Sequence, residues 1–225
     1  MSQSFSLTDS LSLADLQVYL SRAGRVEDGA VRLISAAGVL AVYTAILYPR
    51  GLLDSSPTVL GLRTFALTEP VELDAVVPVR SLLDRVARLT GALVDPGAPV
   101  AVTVPLEVST VTWAGISPPR GGWQSQGETD AALLENAARA GIDEVAASIP
   151  SGTGEQIVQR VRSEVWGRPV EGLEFVPSGA AFAAYSLGFL APDEPVQLFE
   201  TGPWTRLSTS RGHILVRRKP WTLKA

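Results

Sequence analysis

Val196-Gln-Leu-Phe-Glu-Thr-Gly-Pro-Trp-Thr-Arg-Leu-Ser-Thr-Ser-Arg-Gly-His-Ile-Leu-Val-Arg217 is the stretch that decides the fold class. It divides into three β-prone runs, Val196–Glu200, Pro203–Ser208 and His213–Arg217, with Ser210-Arg211-Gly212 between the last two. Short runs of aliphatic, aromatic and β-branched residues punctuated by glycine read as strands joined by tight turns. The end of the chain is therefore expected to be a three-stranded antiparallel meander.

Upstream of it the pattern is helical. Ser178–Leu187 reads as a short helix, and its run Gly-Ala-Ala-Phe-Ala-Ala (179–184) is small enough to let another backbone approach closely. Glu155–Trp166 and the alanine-rich Glu128–Ser148 are two longer helices separated by a break at residues 150–154. Further back, Val31–Ser35 and Val39–Leu47 form an expected hairpin across Ala36-Ala37-Gly38, and Thr58–Leu67 a third strand after a loop at 48–57. Helices are expected from Ser12 to Ala23, with Ser12 as cap, and after Pro78, where Val79, Leu82, Leu83, Val86 and Leu89 recur at helical spacing. A short strand follows at Val100–Val104. Strands first, helices next and strands last argue for an α+β fold, with antiparallel sheet strands at both ends of the chain and a helical middle. The segment Ser109–Gly127 is irregular, with two tryptophans, two prolines and a single charge. It suggests a sheet-rich N-terminal half, 1–110, and a helical segment plus C-terminal β-meander, 111–225, as two domains or as parts of one.

At 225 residues and 46% hydrophobic content the chain can bury a real core. The longest apolar run, Gly38–Leu47, is too short for the ~20 residues of a membrane span. No signal peptide is evident, and the absence of cysteine fits a reducing compartment. The expected location is cytoplasmic.

The inventory for chemistry is thin. The chain has no cysteine and one histidine, His213, which excludes thiolate and multi-histidine metal sites and leaves a serine nucleophile without an evident base. Ser151-Gly152-Thr153-Gly154 precedes a helix, yet it lacks the lysine of a phosphate-binding loop and is followed by Glu155. No strand leads into a dinucleotide-binding glycine fingerprint. No cofactor, no metal and no catalytic residue is expected.

Two features exceed what composition requires. Ser117-Pro118-Pro119-Arg120-Gly121-Gly122-Trp123 pairs a stiff extended backbone with an arginine and a tryptophan, the residue types enriched at interface hot spots. Charge is also segregated: all 23 acidic residues lie at or before Glu200, while 202–225 carry Arg206, Arg211, Arg217, Arg218, Lys219 and Lys224. Such a basic end either docks on acidic surface of its own or a twin chain, or meets another anionic partner. The acidic pI of about 5.1 argues against a dedicated nucleic-acid binder.

Five motifs carry a resemblance. Residues 117–123 (SPPRGGW), 164–169 (EVWGRP), 187–190 (LGFL), 200–207 (ETGPWTRL) and 216–218 (VRR) together resemble a group of uncharacterised actinobacterial proteins. The resemblance covers mainly the C-terminal half and implies lineage, with no enzymatic activity attached. The function these readings favour is a non-catalytic protein-interaction or regulatory protein, probed best at Arg120, Trp123, Trp204 and Arg206, with self-association as a homodimer. The alternatives are a small-ligand binder or enzyme with a pocket of Trp113, Arg120, Trp123 and Trp166, and nucleic-acid contact through the basic C-terminal hairpin.

Overall fold

The computed structural model of the chain describes residues 3–51, 54, 56–92, 95–108, 111–149, 152 and 154–217. It divides into two units. The first comprises Met1–Ala45 and Leu62–Ile116, the second Ile46–Gly61 and Ser117–Ala225. The fold is α+β, with a large antiparallel sheet.

In the first unit, β1 (Ser4–Leu7) leads into α1 (Ser10–Val26), then β2 (Ala30–Ala36), β3 (Val39–Leu47), β4 (Thr58–Ala66), β5 (Leu73–Pro78), α2 (Val79–Ala92) and β6 (Val100–Thr103). The strands lie in the order β5-β2-β3-β4, and β1 pairs with β6 separately. Strict alternation of buried and partly exposed residues along β2 sends Val31, Leu33 and Ser35 inward, as the two-residue period of a half-buried strand requires. Leu13, Leu16, Tyr19, Leu20 and Ala23 of α1, with Val79, Leu82 and Val86 of α2, supply the helical side of that core. Each fully buried leucine or valine stabilises by ~1.5–3 kcal/mol. Tyr19 reaches through the layer, its hydroxyl 2.8 Å from Thr44 Oγ1 and 3.3 Å from the Val42 carbonyl. Burial pushes its phenol well above the ordinary tyrosine value.

The first helix starts three residues earlier than its sequence suggests. Asp9, not Ser12, is the cap: its carboxylate accepts the Ser12 backbone N–H at 2.8 Å, which satisfies one of the open donors of the first turn.

The second unit holds β7 (Gln124–Thr129), α3 (Ala131–Ser148), α4 (Glu155–Gly167), β8 (Pro169–Val170), β9 (Leu173–Pro177), α5 (Ser178–Ser186), and the meander β10 (Val196–Thr201), β11 (Trp204–Thr209) and β12 (Gly212–Arg217). Its own strands run in the order β12-β11-β10-β7. The three C-terminal strands match the expected meander. The segment 124–129 is different: expected as loop and helix start, it forms β7, an edge strand whose residues 124–128 are all exposed.

Small residues set the helix packing. In α5, Gly179, Ala180, Ala181, Ala183 and Ala184 are buried, and a Cβ on Gly179 would come 3.0 Å from the Trp166 carbonyl oxygen. Trp166 lies flat on Phe182 with ring centroids 4.3 Å apart. Its far edge fills the space over Gly141 of α3. The indole of α4 thus locks three helices together.

Among the described residues, no helix is long and apolar enough to cross a membrane.

Candidate functional site

The hydrogen-bond register of the meander builds the site. Thr201 pairs with Trp204 around the Gly202-Pro203 turn, and Phe199 therefore stands opposite Arg206. Ser208 stands opposite His213 on the next strand, and Arg206 opposite Leu215. Because paired residues share a face and faces alternate, Phe199, Trp204, Arg206, Ser208, His213 and Leu215 lie on one side of the sheet. Leu198, Leu207, Ile214 and Val216 lie on the other and are buried.

Arg206 is the centre of this face. Its guanidinium carbon lies 4.4 Å from the Phe199 ring centroid and 4.6 Å from that of Trp123. A cation over an aromatic face gains ~0.5–2 kcal/mol, more as water is excluded. Trp123 reaches this position through a turn: its indole N–H donates to the Pro119 carbonyl at 3.2 Å, and Gly122 takes a φ of +77°. That backbone region costs a residue with a Cβ ~1–2 kcal/mol, so glycine suits it. The Pro-Pro-Arg-Gly-Gly-Trp stretch is thereby a loop that returns one tryptophan onto the sheet.

The face is electrostatically one-sided. Among the described residues Arg206 makes no ion pair, and its Nε is buried with no acceptor. Burial pulls its pKa below the ordinary arginine value. His213 lies half-buried beside it, Nδ1 2.9 Å from Ser208 Oγ. Burial first, and then the Arg206 charge, hold the His213 pKa below the ordinary histidine value of 6.5. In the folded chain His213 is therefore neutral at pH 7, while the unfolded chain takes up a proton near pH 6.5. The unfolded state binds more protons in the window just below that value, so stability falls as pH drops through it. Urea unfolding between about pH 7.5 and 5 should show this loss, and His213→Gln should flatten it. An unchanged profile in the variant would exclude His213 as its source.

The four residues singled out from the sequence are placed unequally. Trp123 and Arg206 touch, and both retain exposed surface. Arg120 is exposed on the same loop, three residues before Trp123. Trp204 is only 4% exposed and belongs to the core, so it has no surface to offer a partner. Trp113 and Trp166 are 3% and 2% exposed, each packed inside its own unit. Phe199 was missed, although the Gly-Pro turn at 202–203 fixes a register that sets it against Arg206.

The basic end also makes a contact within its own unit. At the β11–β12 turn the Ser210 backbone N–H and hydroxyl both donate to Glu194, the hydroxyl at 2.7 Å, which holds that carboxyl below the ordinary range. Arg218, Lys219 and Lys224 lie outside the described residues, as do parts of the 150–154 loop. No group of three or more His, Asp or Glu residues that could hold a metal occurs among the described residues.

This architecture is similar to that of solved bacterial sliding clamps. Pol III beta of Caulobacter crescentus superposes with a TM-score of 0.53 at 12% identity, covering 98% of this chain and 67% of that one. A DNA polymerase sliding clamp from the same organism gives 0.52 at 14% identity, covering 99% and 67%. A putative DNA polymerase III beta subunit from Eubacterium rectale gives 0.51 at 9%, covering 98% and 66%. The chain thus spans about two thirds of the length of those proteins, and at such identities the likeness is one of fold.

By sequence, residues 1–105 match the family described as Domain of unknown function (DUF8010), and residues 118–221 the family described as Domain of unknown function (DUF8185). No curated protein matches the chain.

Proposed function

We propose that this chain is a non-catalytic protein-interaction or regulatory protein, a clamp-like scaffold that captures a protein partner, or a second copy of itself, at Trp123 and Arg206. The observation that carries the reading is a half-buried arginine in contact with two aromatic rings on a sheet face, with an exposed Arg120 on the loop that brings Trp123 there. Aromatic and arginine anchors of this kind concentrate binding energy at interfaces. The fold supports it too, since the similar structures bear the name of a DNA polymerase clamp or subunit rather than of a catalyst. The kinship with actinobacterial proteins suggested by the C-terminal motifs belongs to the same reading.

The partner proposed is a protein in the cytoplasm rather than a nucleic acid. Phosphate-backbone binding needs many Lys and Arg contacts, whereas the chain carries a net charge of −4. The exposed side of α3 includes Glu135, Asp143 and Glu144 beside Arg139, which already pairs with Glu135 at 2.7 Å.

Placing a photo-crosslinking amino acid at position 123 of the full chain, in its native cells, tests this directly. The expected product is one discrete protein adduct, or an adduct of the chain to itself, absent when the same group stands at exposed Glu174. Crosslinks to nucleic acid alone, or none above the Glu174 control, would overturn the reading.

A further inference from the structure

We propose that the Trp123–Arg206–Phe199 stack is a receptor for a carboxylate, presented by an acidic peptide segment of the protein partner. This rests on the preceding reading of the same site and names the chemistry that the site selects.

A comparison within the chain carries the argument. Arg32 on β2 is also a strand arginine, and it is fully served. Its Nε and Nη2 donate to the two carboxylate oxygens of Asp74 at 2.8 Å each, and its Nη1 donates to the Ala114 carbonyl. Among the described residues Arg206 has no such acid. Its guanidinium carbon lies within 4.6 Å of the Trp123 and Phe199 ring centroids, and among the described residues its buried Nε lacks an acceptor.

With two rings against it and its Nε buried, the guanidinium keeps its two terminal Nη groups as donors, and these match the fork of a carboxylate. Removing a charge from water without a counter-ion is costly, so an incoming carboxylate recovers energy that the free protein forgoes.

The chain's own nearby acids are not candidates. Glu194 is engaged by Ser210, and Glu128 accepts from Gln197 Nε2 at 2.7 Å. Glu200 stands opposite Thr205, and so on the other face of the sheet from Arg206. From residue 201 to 217 there is no acid at all.

The charge count favours a carboxylate over a phosphate. His213, held neutral, adds no second charge beside Arg206, and its Nδ1 is taken by Ser208. One cation suits a monoanion, while a phosphate dianion calls for a cluster of donors and charges. The ring walls add apolar surface for the flanking residues of a peptide, which a free inorganic anion cannot use.

The test uses the full chain and three probes: an acetylated, amidated Gly-Glu-Gly-Glu-Gly-Glu peptide, its twin with Gln for every Glu, and inorganic phosphate. The readouts are the Trp123 indole N–H and Arg206 Nε–H resonances in nitrogen-15 spectra. The Glu peptide is expected to shift both saturably and the Gln twin neither. Arg206→Lys should weaken the binding by at least about tenfold, since a lysine cannot keep the stacked fork. Trp123→Phe, which keeps an aromatic wall, should retain binding read at Arg206. Equal response to the Gln twin, stronger binding of phosphate, undiminished binding to Arg206→Lys, or no response to any probe would each overturn the proposal. A discrete protein adduct at position 123 alongside any of these would show a protein partner recognised by other chemistry, which separates failure here from failure of the scaffold reading.

Discussion

Trp204→Ala should cost ~3–5 kcal/mol of stability, the range for emptying a large aromatic side chain from a core. Trp204 is 4% exposed and opens β11, between Thr201 on one neighbouring strand and Arg217 on the other. Trp123→Ala should cost only ~1 kcal/mol, roughly the value of its contact with the Arg206 cation. Urea unfolding of both variants, followed by near-ultraviolet circular dichroism, gives the comparison. The reverse ranking would place Trp123 in the core and remove it from the interaction site. The experiment therefore decides which tryptophan holds the sheet together and which is free to meet a partner.

Gly141→Ala is the second substitution with a large expected effect. A Cβ at this position would lie 2.3 Å from Trp166 Cζ3 and 2.7 Å from Cη2. Neither helix backbone nor indole can yield cheaply, because Trp166 is 2% exposed and stacked on Phe182. Overpacking of this severity costs ~3 kcal/mol, set against ~1 kcal/mol gained from the better helix propensity of alanine. The net loss should show as a lower unfolding midpoint. It should also shrink in a Gly141→Ala, Trp166→Phe double variant, because the smaller ring gives back the space and the two changes couple. A Gly141→Ala chain as stable as the parent would mean that the indole does not lie over α3.

These residues also show how far the sequence could be read. The C-terminal meander, the helix α2 and the β2–β3 hairpin follow from periodicity, because their buried faces repeat with the right period, while α4 and α5 follow from the glycine and proline residues that bound them. The strand β7 does not. Gln-Ser-Gln-Gly-Glu-Thr has no apolar alternation, and it is a strand because its backbone pairs with β10 at the edge of the sheet. The strand β5 alternates Leu73, Ala75 and Val77 inward and runs through Pro78 straight into the helix that begins at Val79, so no turn residues mark it off.

The site divides in the same way. Arg206 and Trp123 stand out by residue type, and the register that adds Phe199 follows from the turn at Gly202-Pro203. What no local pattern reveals is coverage. Trp204 and Arg206 are two residues apart on one strand and share a face, but one is buried and the other half open. Which part of a sheet face is roofed depends on segments distant in sequence.

The second unit takes Ile46–Gly61 from the middle of the first. Asp54 fastens the tip of that excursion, accepting the backbone N–H groups of Arg50 and Ser56, and β12 lies beside β4 in the sheet order. During synthesis, these residues emerge long before the meander that completes their sheet. Until β12 is made, β4 therefore presents an unfinished strand edge, the kind of exposed edge that invites wrong pairing. A truncation at the 116/117 boundary, however natural it looks on a linear map, would separate Ile46–Gly61 from the rest of the second unit.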